Sequence, residues 1–262
     1  MTTVGSPSIR DPEAGQTPPP ARHRGLGGYL FMPAALLAVL IVLYLWVSGQ
    51  ELDSTEQRRI NADNITTVVR EHIELAVLST VLVLVIAIPL GIVLTRPALA
   101  KVTRPAIAVF NIGQALPTIG VLVLFAVVWD IGFWPVIVAL VAYTVLPVLR
   151  NTMVGLQQVD ESVIEAARGM GMSRAAVLGR IELPLAVPII MAGVRTALVI
   201  NVGTATLAAF VDGGGLGTLI VSGTAAGRDL IIIVGAVLTA VLALTIDYLA
   251  GIAEDVMRPR GL

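Results

Sequence analysis

The chain alternates long apolar runs with short charged stretches, and the lengths of these runs predict helices that cross a membrane. Runs with one charged residue or none occupy 25–50, 75–95, 105–129, 131–149, 184–211 and 230–246. A helix needs roughly 20 apolar residues to span a bilayer, and most of the runs reach or approach that length. The pattern therefore predicts an all-α integral membrane protein with six transmembrane helices.

Composition supports the same class and excludes several others. Hydrophobic residues make up 56% of the chain and charged residues 13%, whereas soluble domains are about one quarter charged. The formal net charge of −1 provides no basic field for nucleic acid. With no cysteine and only His23 and His72, we expect no metal site. The sequence has no P-loop motif, so we expect no ATP site in this chain.

The distribution of positive charge predicts the orientation. Of the 17 Lys and Arg residues, 12 lie in the N-terminal tail and in the segments 96–104, 150–182 and 253–262, which share one side of a six-span protein. Four lie in 51–74 and 212–229, on the other side. Cytoplasmic loops carry the excess of positive charge, so both termini are expected in the cytoplasm.

The chain divides by composition into five parts. We predict a disordered cytoplasmic tail at 1–25, an extra N-terminal transmembrane helix at 26–50, an outer connector at 51–74, a transmembrane core at 75–255 with a cytoplasmic loop at 150–184, and a cytoplasmic tail at 256–262. The connector becomes amphipathic from Ile65 to Leu75, which favours an interfacial helix before the second span. A solvated connector with a frayed helix is the alternative.

The 150–184 loop contains signals for a first short helix that ends in a tight turn. Ser162 followed by Glu165 fits a capping box, with Asp160 as a rival N-cap. Gly171 can end this helix in a left-handed conformation.

A second short helix is expected after that turn. Ser173 can cap it, and it should continue to about Arg180, after which Pro184 restarts the chain into the fifth span. The small residues Ala166 and Ala167 leave nothing bulky on the first helix, which suits docking into a groove of another protein. A surface hairpin without a partner is the alternative.

Seven residues of this loop match one spaced pattern: Glu-Ala-Ala, three residues, Gly, nine residues, Ile-x-Leu-Pro. They are Glu165, Ala166, Ala167, Gly171, Ile181, Leu183 and Pro184. The loop thereby resembles the Glu-Ala-Ala loop of ABC transporter permease subunits. The resemblance implies that these residues form a coupling helix, which sits in a cleft of a separate ATPase subunit. ATP and Mg would be bound by that subunit, and this chain would be no enzyme.

The same resemblance implies a fold, partners and a location. The five later spans would be the permease core of a type I importer, with the first span added to it. The pathway would need a second permease copy or a paralogue, and a separate extracytoplasmic solute-binding protein would deliver the solute. The complex would lie in the lipid bilayer of a prokaryotic cytoplasmic membrane.

Several segments narrow the resemblance to the osmoprotectant branch of these permeases, which moves glycine betaine, carnitine, choline or proline betaine. The segments are Asn111–Thr118, Leu146–Thr152, Ala166–Ser173, Glu182–Ala197, Gly203–Phe210 and Gly213–Gly217. A permease for another small solute, such as methionine, is the alternative. From other classes, a membrane scaffold without transport would not need the loop pattern. An intramembrane hydrolase would need a nucleophile and a base within the bilayer, but neither histidine lies in a span and no carboxylate pair faces inward.

Polar residues inside the third and fifth predicted spans are candidates for the lining of a translocation pathway. They are Asn111, Gln114, Pro117, Thr118, Asn201 and Thr204. The spacing of Asn111, Gln114 and Thr118 places them on one helical face. Pro117 interrupts the same helix. Hydrogen bonding between helices, without solute contact, is the alternative.

One charged residue lies inside a predicted span. Arg195 is well inside the fifth span, where an unpaired charge is costly, and Asp247 in the last span is its expected partner.

A glycine-rich segment, Gly213–Gly217, lies between spans on the outer side. We therefore expect a flexible turn or a binding-protein contact there rather than a phosphate site.

Overall fold

The computed structural model describes residues 26–257, which form helices and no β-strand. The α-helices are α1 (Leu26–Ser48), α2 (Ser54–Arg59), α3 (Ala62–Leu94), α4 (Ala100–Ala115), α5 (Thr118–Val128), α6 (Phe133–Gln157), α7 (Glu161–Gly169), α8 (Arg174–Val177), α9 (Leu183–Ala205), α10 (Gly217–Ala226) and α11 (Asp229–Met257). The all-α prediction is confirmed. The predicted tails at 1–25 and, from residue 258, at 256–262 lie outside the described residues.

The centre of the fold is formed by three long helices, α3, α6 and α9, which pack against one another along their lengths. Leu75, Leu140 and Ala205 are buried together near one end of this group, and Val83 and Leu149 are buried nearer the other end. In a bilayer, helices satisfy their own backbone hydrogen bonds, so side-chain packing and polar contacts decide how the three fit together.

Five helical segments are long and apolar enough to cross a membrane: Tyr29–Ser48, Ala62–Leu94, Phe133–Gln157, Arg174–Val211 and Asp229–Met257. The run at 105–129 is interrupted at Pro117, as predicted, and α4 and α5 meet there at 91°. Pro117 has no N–H to continue the helix and keeps the preceding residue out of the helical conformation. Leu116 is accordingly extended, with a ψ of 139°. The α4–α5 pair is therefore a broken span or a re-entrant loop.

The outer connector is shorter than predicted. Helix α3 begins at Ala62 and continues to Leu94, so the amphipathic stretch from Ile65 is the first part of a long helix and not a separate interfacial element. Asn61 caps this helix, because its side-chain oxygen accepts a hydrogen bond from the backbone N–H of Asn64 at 2.8 Å.

What remains of the connector is tied to the turn before α11. Asp53 caps α2 by accepting hydrogen bonds from the backbone N–H groups of Thr55 and Glu56, both at 2.8 Å. These hydrogen bonds, with help from nearby arginines, lower the pKa of the Asp53 carboxyl. One of these arginines, Arg228, pairs with the Asp53 carboxylate at 2.6 Å and so fixes α2 to the chain between α10 and α11.

Helix α1 lies at the edge of the bundle and packs against α11. The Tyr248 hydroxyl donates to the backbone oxygen of Tyr29 at 2.6 Å, and the Tyr29 hydroxyl donates to Asp255 at 3.2 Å. Only 6% of the most apolar stretch of α1 is buried within the chain. In a membrane, most of this helix therefore faces lipid or another chain.

Candidate functional site

The predicted loop 150–184 begins later than predicted, because α6 continues to Gln157, and its first element is α7. This helix lies at the end of the bundle where α3 and α6 finish; we call this the loop end. Asp160 caps α7, and its carboxylate accepts a hydrogen bond from the Ser162 N–H at 2.8 Å. The predicted capping box led by Ser162 is thus replaced by the rival cap. Hydrogen bonds from Ser162 lower the pKa of the Asp160 carboxyl. Because Asp160 is ionised at neutral pH, its negative charge also interacts favourably with the positive, N-terminal end of the helix dipole.

One face of α7 is exposed to solvent and carries small side chains. Glu165 and Ala166 are exposed, while Ala167 is buried against the rest of the chain. Met170, which follows the helix, is 76% exposed. The sequence analysis missed Met170, although a flexible apolar side chain beside an Ala-Ala pair is a recognisable signal for contact with another protein. The exposed face therefore offers a small helical surface with one protruding apolar side chain.

The turn after α7 depends on a left-handed glycine. Gly171 has a φ of +85°, which confirms the predicted conformation. Its N–H donates to the Arg168 oxygen at 2.9 Å, and the Met172 N–H donates to the Ala167 oxygen at 3.2 Å. A β-carbon at residue 171 would meet no atom within 4 Å. Backbone strain, and not crowding, is what restricts this position within the chain.

The second half of the loop is not a separate short helix. Ser173 caps α8 as predicted, but α8 continues through the π-helical turn Leu178–Glu182 into α9 without a break. The Leu183 N–H reaches back five residues to the Leu178 oxygen. Pro184 is therefore accommodated near the start of α9 and does not restart the chain. Ile181 and Leu183 are half-buried and Pro184 is exposed.

The polar residues of the predicted third span lie on two helices. On α4, the Asn111 side-chain oxygen accepts from Arg150 at 2.6 Å, and the Gln114 amide donates to the Tyr143 oxygen at 3.0 Å. Thr118 begins α5, beyond the bend at Pro117. The prediction that Thr118 shares one helical face with the other two is wrong, because the bend lies between them. Asn111 and Pro117 are exposed, and Gln114 and Thr118 are half-buried.

Asn201 lies inside the bundle and joins its three central helices. Its side chain is completely buried, donates to the Thr80 hydroxyl of α3 at 2.9 Å and accepts from the Thr144 hydroxyl of α6 at 3.1 Å. This is the geometry of the alternative that the sequence left open, hydrogen bonding between helices, and not of a residue that faces a pathway. Thr204, one turn later, is half-buried.

Arg195 and Asp247 lie opposite each other on α9 and α11. The guanidinium donates two hydrogen bonds to the carboxylate, at 2.6 and 2.8 Å. The Glu254 carboxylate, two helical turns further along α11, lies 3.7 Å from the Arg195 guanidinium. A planar guanidinium suits this paired geometry, which fixes orientation as well as distance.

At the opposite end of the bundle, the glycine segment 213–217 is held in place and is not a free turn. The Gly215 N–H donates to Glu71 at 2.8 Å, and the Leu216 N–H donates to Nδ1 of His72 at 3.2 Å. Since Nδ1 accepts, the His72 proton is on Nε2, which donates to the Val202 oxygen at 2.9 Å. The sequence analysis gave His72 no role, because its partners are 130 and 144 residues away. Gly215 has a φ of +85°, and a β-carbon there would lie 3.0 Å from the His72 ring.

Comparison with known proteins identifies the family. A model of the inner membrane component of binding-protein-dependent transport systems matches residues 87–259. The chain belongs to this family. These permeases form part of transport systems in the membrane, which confirms the resemblance read from the 150–184 loop. Within the described residues, no cluster of three or more His, Asp or Glu side chains is arranged to hold a metal ion.

Individual relatives agree with the osmoprotectant branch. The choline transport system permease protein OpuBB of Bacillus subtilis is 44% identical over 154 residues, which are 59% of this chain and 71% of that protein. The osmoprotectant import permease protein OsmY of Salmonella typhimurium is 38% identical over 213 residues, 81% of this chain and 89% of that protein. A solved structure of the MetNI methionine ABC transporter in an inward-facing conformation matches 76% of this chain and 100% of its own, with a TM-score of 0.66 and 25% identity.

Proposed function

We propose that this permease carries a small quaternary amine, such as glycine betaine, choline, carnitine or proline betaine, across the cytoplasmic membrane of a prokaryote. The observation that carries this proposal is the similarity to OsmY, which extends over most of both chains and is named as an osmoprotectant import permease. OpuBB, which is named as a choline transport permease, supports the same class of solute. The similarity to the methionine transporter is lower in sequence, at 25% identity, and argues chiefly for the fold.

A growth and uptake assay tests the solute. The chain is expressed with its ATPase and binding protein in a bacterial strain that lacks its own osmolyte importers. We expect labelled glycine betaine or choline to enter at high salt, and expect no uptake when this chain alone is omitted. Uptake of labelled methionine in place of these amines would support the alternative solute. No solute entry by a correctly inserted and assembled complex would favour a scaffold.

Energy for transport would come from a separate ATPase subunit that contacts α7. The exposed small face of α7, with Glu165 and Ala166, allows the close approach that helix docking requires. Met170 would enter an apolar pocket of the partner, since it is 76% exposed and flexible. ATP binding in the partner would displace α7 and the helices that follow it.

Cysteine cross-linking tests this docking directly, because the natural chain contains no cysteine. Met170→Cys should cross-link to a cysteine placed in the cleft of the ATPase subunit. Val127→Cys is the matched control, since Val127 is as exposed but lies in the last turn of α5, toward the opposite end of the bundle. Equal cross-linking at both positions, or none at residue 170 in an active complex, would contradict the contact.

Six crossings, with both termini in the cytoplasm, fit the contacts at the two ends of the bundle. Arg96, before α4, pairs with Glu182 at the loop end. Gly132, after α5, donates its N–H to the Val211 oxygen at the opposite end. The α4–α5 pair thus leads from one end to the other, as a broken span does. Single cysteines are placed before α4 and after α5, and an impermeant thiol reagent is added to one side of the membrane at a time. We expect the two cysteines to react with reagent on opposite sides; reaction of both from the same side would indicate a re-entrant loop.

A further inference from the structure

An ion pair at the loop end joins the 150–184 loop to the junction between α3 and α4. The Arg96 guanidinium donates to the Glu182 carboxylate at 2.7 Å. Glu182 is only 5% exposed, and it is the one buried carboxylate in the part of the chain that the structure describes. A buried carboxylate needs a partner to remain charged, so this contact is expected to persist while the protein moves.

Glu182 is rigidly connected to the surface that would meet the ATPase. It is the last residue of the π-helical turn that follows α8, and only a short glycine turn separates α8 from α7. In the loop pattern Ile-x-Leu-Pro, position 182 is the variable one, so the pattern does not account for a glutamate here. Isolated π-helical turns inside longer helices are frequent at functional positions.

Arg96 is equally well fixed on the other side of the contact. Its Nε donates to the Ile92 oxygen at 3.1 Å, which holds the side chain on the last turn of α3. The Thr103 hydroxyl of α4 donates to the Leu94 oxygen at 2.8 Å, so the end of α3 and the start of α4 move together. Helix α4 in turn carries Asn111 and Gln114, two of the predicted pathway residues that remain at least partly open.

We propose that Arg96 and Glu182 are positioning residues that transmit movement of the 150–184 loop to α4. This proposal rests on the proposed function, in which an ATPase moves α7. Displacement of α7 acts on Glu182 through the short turn and α8, and the ion pair carries it to the α3–α4 junction. Loss of the pair leaves ATPase docking intact but separates hydrolysis from the rearrangement of α4.

The test measures solute uptake per ATP hydrolysed by the complete importer in proteoliposomes. Glu182→Gln removes the carboxylate charge with little change of shape and leaves Arg96, whose side chain is 38% exposed, without its carboxylate partner. We expect uptake per ATP to fall at least about fivefold, the lower end of typical couplings between distant sites. The ATPase should copurify with the variant in normal amounts. Arg70→Gln is the control, since Arg70 forms an exposed ion pair with Glu74 at the same 2.7 Å distance.

The double variant Arg96→Gln/Glu182→Gln separates transmission from stability, because it leaves no unpaired charge to destabilise the fold. We expect it to remain uncoupled, and the ratio of uptake to hydrolysis does not depend on how much protein folds. A normal ratio in Glu182→Gln or in the double variant would overturn the proposal. Gly171→Leu distinguishes failure of this proposal from failure of the proposed docking of the ATPase on α7. If Gly171→Leu also leaves uptake normal, both proposals fail. If Gly171→Leu uncouples uptake and the ion-pair variants do not, only the role of the ion pair fails.

Discussion

The contact between Arg195 and Asp247 provides a quantitative test of how α9 is fixed to α11. Two hydrogen bonds, at 2.6 and 2.8 Å, join the guanidinium to the carboxylate, and Glu254 lies 3.7 Å from the same guanidinium. The perturbations are Arg195→Met, Asp247→Leu and the two together. Methionine and leucine remove the charges but retain much of the apolar volume.

The exposure of the pair sets the expected magnitude. Removing one partner of a buried ion pair costs about 3–5 kcal/mol, and an exposed pair contributes about 0–1 kcal/mol. The two side chains are 33% and 30% exposed, so we expect the free energy of unfolding to fall by about 1–3 kcal/mol in Arg195→Met. Asp247→Leu should cost less, because Glu254 remains to accept from Arg195. The double variant should lose less than the sum of the two.

Thermal unfolding of the detergent-purified proteins gives the Tm of the wild type, the two single variants and the double variant. A change of 1 kcal/mol corresponds to roughly 2–4 °C in Tm for a chain of this size. We expect Arg195→Met to have the lowest Tm of the single variants, and the double variant to recover at least half of that loss. Strictly additive losses would show that the two residues are energetically independent, and a larger loss in Asp247→Leu would contradict the role given to Glu254.

Three further sets of substitutions test other parts of the structure. Gly171→Leu places a β-carbon at a φ of +85°, at a cost of about 1–2 kcal/mol, and should reduce ATP-driven uptake by inserted protein, whereas Gly169→Ala should not; normal uptake with Gly171→Leu would exclude a coupling role for the turn. Asn201→Leu should lower the free energy of unfolding by about 1 kcal/mol, while Gln114→Leu should reduce uptake with little change in Tm. The reverse result would show that Gln114 joins helices and that Asn201 lines the pathway. His72→Phe removes both ring hydrogen bonds and should speed hydrogen exchange at 213–217. Unchanged protection would refute the conclusion that His72 holds this segment in place.

Hydrophobic runs predicted most of the spans because a bilayer requires a length that can be counted along the chain. At 105–129 the apolar composition continues past Pro117 and does not show the angle of 91° at which the two halves meet. The π-helical turn at Leu178–Glu182 was also missed, since hydrophobicity does not distinguish it from an α-helical turn. Capping residues were easier: Ser173 was predicted correctly, and Asp160 was one of two options for α7.

The candidate site was predictable where its signal is local in sequence. The spacing from Glu165 to Pro184 lies within one segment, so the family could be recognised from it. Helical periodicity placed polar residues on faces but could not say what those faces meet, and Asn201 proved to lie between helices. The contacts of His72 and of Arg96 link distant parts of the chain, and a single sequence contains no signal for them.

Uptake by proteoliposomes that contain the purified permease and its ATPase is the most direct test of the account. The solute-binding protein and labelled glycine betaine are supplied on the outer side, and ATP with Mg²⁺ on the ATPase side. The account predicts that the label accumulates against its gradient only when ATP is present, and that unlabelled choline or carnitine, but not methionine, competes. Accumulation without ATP, or accumulation of methionine but of none of these amines, would contradict it.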